Sequence, residues 1–174
     1  MRKPLYVICT WSGAAVLSFA WLTWAANGPA AGRHTAIPEI DGTYELVKRV
    51  TSDGKEILPP AIGGLYSLSH GRGNLNLFWV GKDGTMASES TITRYTLTAG
   101  EYCEWIVFTS RNNVDKPGVS NEAPAVTNHC SPAMLQEARI VFEPPGEGVV
   151  MSVGKDGFRA TAAGQFVDHW KKLR

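Results

Sequence analysis

From Thr43 onward the chain alternates apolar and polar residues in short runs, the period of half-buried strands. Thr43–Val50 opens the series. Asp53-Gly54 and Pro59-Pro60 interrupt it, and Gly64–His70 and Gly73–Val80 read as a hairpin around Gly71-Arg72-Gly73. Thr85–Thr98 is rich in Thr and Ser, with Ile92, Tyr95 and Leu97 as its apolar points. Tyr102–Arg111 is centred on Trp105, Ile106, Val107 and Phe108. Arg139–Glu143, Gly148–Val153, Phe158–Ala162 and Gln165–Trp170 close the chain. The phrase Val-Gly-Lys-Asp-Gly occurs at 80–84 and again at 153–157, each time between two strand-like runs, and its Asp-Gly predicts a hairpin turn. The residues flanking the two copies do not match, so the repeat is shared turn chemistry. One carboxylate per copy is too few for a hard cation.

One stretch lacks any period. Residues 112–131 are polar with Pro and Gly, which predicts a functional loop, here a lid. Ser131-Pro132 then has the form of an N-cap with Pro at N1, predicting a short helical turn through Gln136. Many short strands, tight turns and no long helix in this part of the chain predict an antiparallel barrel or sandwich.

Ahead of the strands, the 22 residues Leu5–Ala26 carry no charge, and Arg2 and Lys3 precede them. That is the layout of a secretory signal, with small residues after Ala25 offering cleavage points. As a helix the run extends about 33 Å, enough for an uncleaved anchor, and Trp21 and Trp24 suit an interfacial belt. The expected organisation is a signal peptide or membrane anchor at 1–32, a linker at 33–40 and a β-domain at 41–174. Either version puts the domain outside the cytoplasm, periplasmic or anchored to the outer side of the cytoplasmic membrane.

Without Arg2 and Lys3, 15 basic residues face 16 acidic ones, a balance that argues against a nucleic-acid partner. Of the three cysteines, Cys9 lies in the uncharged run. Cys103 and Cys130 are expected to pair in an exported domain, closing a loop of 26 residues worth about 3.5 kcal/mol. A zinc site from His70, Cys103 and His129 is the competing reading and is set aside, because no pair has helical ligand spacing. No Cys-x-x-Cys and no Gly-x-Ser-x-Gly is present, so neither dithiol redox work nor a hydrolase triad finds support.

Gly42-Thr43-Tyr44-Glu45-Leu46-Val47 resembles the opening strand of bacterial lipocalin-like proteins, typically Gly-x-Trp-x-Leu-Val. Asp53-Gly54, Pro59-Pro60 and Gly64-Leu65-Tyr66-Ser67-Leu68 resemble the turn and second strand of that family, and Trp170-Lys171 resembles the end of its last strand. Tyr44 stands in place of the family's Trp, and Lys171 in place of its Arg. The resemblance implies an up-and-down barrel of about eight strands with an apolar interior that holds a small hydrophobic molecule. It implies no reaction.

Alternation supplies the candidate ligand-binding residues. Leu75, Leu77 and Trp79 share one face of their strand, and Trp105 shares a face with Cys103. Tyr66, Phe142 and Met151 add bulk, and Arg94 is the one charged candidate, for a ligand carboxylate. Core filling is the competing explanation for the apolar members. The resulting expectation is an exported, non-catalytic binder of a small hydrophobic molecule, needing no cofactor. Two alternatives remain: an accessory subunit of a membrane complex held by its N-terminal helix, and a small isomerase- or cyclase-type enzyme using Arg94, Glu104 or His70.

Overall fold

The computed structural model describes residues 37–81, 83–114, 116–124 and 129–174. The signal or anchor segment and the first half of the linker, with His34, lie outside these residues. Every regular element described is a strand. In order they are β1 (Gly42–Thr51), β2 (Glu56–Ile57), β3 (Ile62–Ser69) and β4 (Arg72–Val80). Next come β5 (Met86–Leu97), β6 (Glu101–Asn112), β7 (Val119–Glu122) and β8 (His129–Gln136). The last four are β9 (Arg139–Phe142), β10 (Val149–Gly154), β11 (Gly157–Ala162) and β12 (Phe166–Lys172). No helix among the described residues is long and apolar enough to cross a membrane.

Neighbours in sequence pair antiparallel, and β12 pairs back onto β1, so the sheet closes. Two short strands, β2 and β7, lie off the closed path, which leaves a ten-stranded barrel. The expectation of about eight strands is corrected here. Part of the reason is residues 131–136, where the sequence predicts a helical turn and the strand β8 is found. Pro132 fits there because the β8–β9 ladder begins one residue later, at Ala133↔Phe142. Ala133 N–H points to β6, donating to Gly100 O at 3.0 Å, so the N–H that Pro132 lacks would have faced the side with no partner.

The lid expectation is corrected for the described part of residues 112–131; residues 115 and 125–128 lie outside the described residues. Within 112–131, β7 bonds to the far half of β6 (Thr109↔Glu122 to Asn112↔Val119). Residues 129–132 bond to its near half, through Glu104↔His129 to Glu101↔Pro132. β7 and β8 act as one broken strand along β6. Cys103 and Cys130 face each other in that ladder, 4.0 Å apart at Cα, and form the disulfide.

The repeated phrase makes two different turns. Gly154 pairs with Gly157 across a two-residue loop, Lys155-Asp156. In the first copy β4 and β5 are joined by residues 81–85, where the Asp83 carboxylate accepts from Thr85 N–H and Oγ1 at 2.9 and 3.0 Å. Among the described residues of both copies, only a glycine takes the positive φ, Gly84 in the first and Gly157 in the second. His70-Gly71, both at positive φ, form the two-residue hairpin turn between β3 and β4.

The interior holds Tyr44, Leu46, Ile62, Ile140 and Val153, each less than 2% exposed. One end is closed by the chain's own lead-in. Ile40 is buried there, Tyr44 Oη donates to Ile40 O at 2.6 Å, and the Asp41 carboxylate accepts from His70 N–H (2.8 Å) and Tyr95 Oη (2.7 Å). Tyr44 lies opposite Lys172, whose ammonium sits 5.7 Å from the ring centre. The basic neighbour at this end is therefore Lys172, one residue beyond the expected Lys171.

Candidate functional site

Two bulges decide which side chains reach the barrel interior. In β1, Leu46 pairs with Trp170 but Lys48 pairs with His169, leaving Val47 without a partner. Strict alternation would point Lys48 inward. The extra residue shifts the phase, and Arg49 turns inward beside Asp168. In β6, Ile92↔Phe108 is followed by Thr93↔Ile106, so Val107 is the extra residue. Tyr102 and Glu104 point in before it, Thr109 after it, and Phe108 is turned to the outer face with Ile92.

These residues surround a cavity of about 140 Å³. It runs from Ile40 and Leu68, near the closed end, to Arg49, Phe166 and the exposed Glu147 at the other. Aromatic rings form its walls in two groups. Phe158 stacks on Trp170 (5.1 Å, 14°) with Tyr66 edge-on to both, and Phe142 stacks on Tyr102 (4.1 Å, 21°).

The polar lining is concentrated. Arg49 Nε and Nη2 donate to the Asp168 Oδ1 and Oδ2 at 2.6 and 2.7 Å, with the guanidinium 3.8 Å over the Phe166 ring. Both side chains are largely out of water, at 13% and 4% exposure. This buried pair joins the first and last strands of the barrel. Glu104 is also buried, and burial pushes its carboxyl up, opposed by the nearby Thr93 and Tyr102 hydroxyls. Burial likewise pushes the Tyr66 and Tyr102 hydroxyls up.

Glu147, in the β9–β10 loop, has exposed surface, yet protein crowds its carboxyl. Burial first, then the negative charges of Glu104 and Glu89, push it up to about 7, and Arg111 opposes them. Arg111 itself lies 3.4 Å from Glu89 and 3.7 Å from Glu122. Trp170 Nε1 is buried without an acceptor. Thr93 Oγ1 lies close to the Glu104 carboxyl and the Tyr66 hydroxyl but makes no hydrogen bond of normal geometry.

Of the candidates named from sequence, Tyr66, Leu75, Leu77, Phe142 and Met151 line the cavity. Trp79 points inward on the same face of β4 and packs on the core outside the cavity. Arg94 and Trp105 are placed differently. They face each other across β5 and β6 on the outer surface, with Arg94 exposed. β6 carries aromatic or aliphatic residues on both faces, so alternation alone does not say which one is inside. Arg49, Thr91, Thr93, Glu147 and Asp168 are site residues that the sequence pattern does not single out. Arg49 is hidden by the Val47 bulge, and Glu147 by its loop position.

His70 serves the β3–β4 turn, His129 lies in β8, and His169 lies in β12, where burial and the neighbouring Arg159 and Lys48 lower its pKa. Among the described residues, the only potential metal-ligand group is Glu101, Cys103 and Cys130, and its two sulfurs are bonded to each other. Chemically, the cavity can bury an apolar body, present hydrogen-bond donors and acceptors, and hold or release protons at Glu104 and Glu147. No family model matches the chain, and neither do any curated protein or solved structure.

Proposed function

We propose that this chain is an exported, lipocalin-like binding protein that holds a small, largely apolar molecule inside its barrel without transforming it. The observation that carries the reading is the cavity itself: aromatic walls, a closed lower end, and buried polar atoms with no protein partner. Ligand sites have this make-up, mostly apolar with a few polar groups to set orientation. Its 140 Å³ matches one aromatic ring, since a dry cavity of ~150 Å³ holds benzene. The disulfide supports an oxidising compartment, which fits periplasmic placement or anchoring to the outer side of the cytoplasmic membrane.

The test is titration of the protein with benzyl alcohol, monitored by amide and methyl NMR shifts. Shifts are expected at Tyr66, Met151 and Ala160 and absent from the outer-face residues Arg94 and Trp105. Ala160, which lines the cavity, is a point at which to fill it. Ala160→Leu should abolish the shifts while leaving the fold intact. Shifts scattered over the outer face, or unchanged in Ala160→Leu, would refute interior binding.

A further inference from the structure

Counting charges around the cavity narrows the ligand class. Three carboxyl side chains line it, Glu104, Glu147 and Asp168, against one cation, Arg49. Asp168 engages Arg49 through both oxygens, so that pair is internally balanced. Glu104 and Glu147 then face the cavity with no basic residue in the lining to match them. The basic group that acts on Glu147, Arg111, lies between two further acids, Glu89 and Glu122. The cavity and its immediate surroundings are therefore acidic on balance.

The walls suit a cation as well. Tyr66, Tyr102, Phe142, Phe158 and Trp170 present ring faces and edges to the space, and a desolvated cation over such faces is attracted by their ring quadrupoles. Trp170 Nε1 (residue 6% exposed) is a buried donor in this lining without an acceptor. Native interiors rarely leave such atoms unmet, which marks the space as built for an occupant. A divalent metal does not fit that role, because it needs about six oxygen ligands.

Resting on the binding function proposed above, we propose that the occupant is a small organic cation, a protonated amine with a ring-sized apolar body. Its ammonium lies between Glu104 and Glu147, and its apolar part lies against the rings. The carboxyls bring a linked proton. Glu147 is faced by Glu104, Glu89 and Arg111, and Glu104 by Thr93, Tyr102, Tyr66 and Glu147, with Arg49 and Asp168 on the same lining. Glu147, pushed up to about 7, is part-protonated near neutrality, so an arriving ammonium displaces a proton that a neutral ligand leaves in place.

The experiment is calorimetric titration of the full chain at pH 7 with benzylamine and with benzyl alcohol, which have equal numbers of heavy atoms. Running it in two buffers of different ionisation enthalpy counts the protons released. Benzylamine should bind about tenfold tighter or better, with proton release, and benzyl alcohol should release none. Glu104→Gln with Glu147→Gln should remove the amine's advantage over the alcohol and the proton release that goes with it. The proton count on the unmodified chain needs no variant to fold. Equal affinities, or tighter alcohol binding, would overturn the amine assignment while leaving interior binding in place. If neither compound binds, the binding function itself falls, and the amine assignment with it.

Discussion

Arg49 and Asp168 show how much can depend on one buried contact. Removing the guanidinium strands a side-chain carboxylate that is only 4% exposed, a loss of about 3–5 kcal/mol. Replacing both partners with apolar residues of similar size costs far less, because neither charge is then desolvated. Arg49→Ala should therefore lower the urea midpoint sharply, and Arg49→Met with Asp168→Leu should recover most of it. If the double variant lost as much as its single changes added together, the pair would not be coupled in this way. Glu147 has the opposite character. Its carboxyl is raised from 4.5 in the unfolded chain to about 7, so the folded state holds the proton more tightly. The stabilising contribution is complete below about 4.5 and lost as pH rises through about 7. Glu147→Gln should then match the parent at pH 4 and exceed it at pH 8. The difference should stay within about 1 kcal/mol, because the exposed surface of Glu147 lets water screen it. Urea melts at the two pH values would show this, and a gain at pH 4 would contradict it.

At the scale of strands, the outer edge of β6 is shared by β7 and β8, and the Cys103–Cys130 bridge holds the second of these pieces in register. Converting both cysteines to Ser should lower stability by up to about 3.5 kcal/mol, and reductant should lower the parent by a similar amount. A melt unmoved by either treatment would mean that the ladder alone holds β8. The same region shows what sequence can carry. The period-2 runs of β1, β3–β6 and β9–β12 are visible residue by residue, and so is the inward face of β4 with Leu75 and Leu77. β8 is obscured because Ser131-Pro132 satisfies helix-start chemistry and strand-end chemistry equally well. The polar half of the site is obscured for another reason. Val47 and Val107 are β-branched residues at home in any strand, and nothing in their type announces that they are the unpaired ones. Each reverses the phase of the residues after it, so Arg49 comes in where strict alternation would place Lys48, and Phe108 goes out.

For the whole molecule, the question is how a ten-stranded barrel avoids an empty interior. Barrel width grows with strand number, and already at eight strands the interior is wide enough for side chains or one small ligand. This chain divides its interior along the axis. The lead-in segment fills one end with Ile40, Asp41 secures it, the middle is left as the cavity, and the Arg49–Asp168 pair and Glu147 stand at the far end. Asp41 is the fastening. The His70 backbone N–H first, then the Tyr95 hydroxyl, hold its carboxyl below the usual range. Its contribution is therefore present above about pH 4 and lost as pH falls through the lowered folded value. Asp41→Ala removes both acceptors and should cost about 1.5–3 kcal/mol. The effect should be confined to one end. Amide protection at His70, Tyr44 and Tyr95, corrected for the intrinsic pH dependence of exchange, should fall in the variant, and in the parent on acidification, while Arg49 and Asp168 stay protected as before. Because the cavity opens away from this plug, interior binding of a small aromatic at pH 7 should survive in Asp41→Ala at reduced affinity. Equal loosening at both ends would mean that the barrel responds as one unit, and the division into plug, cavity and charged rim would not describe it.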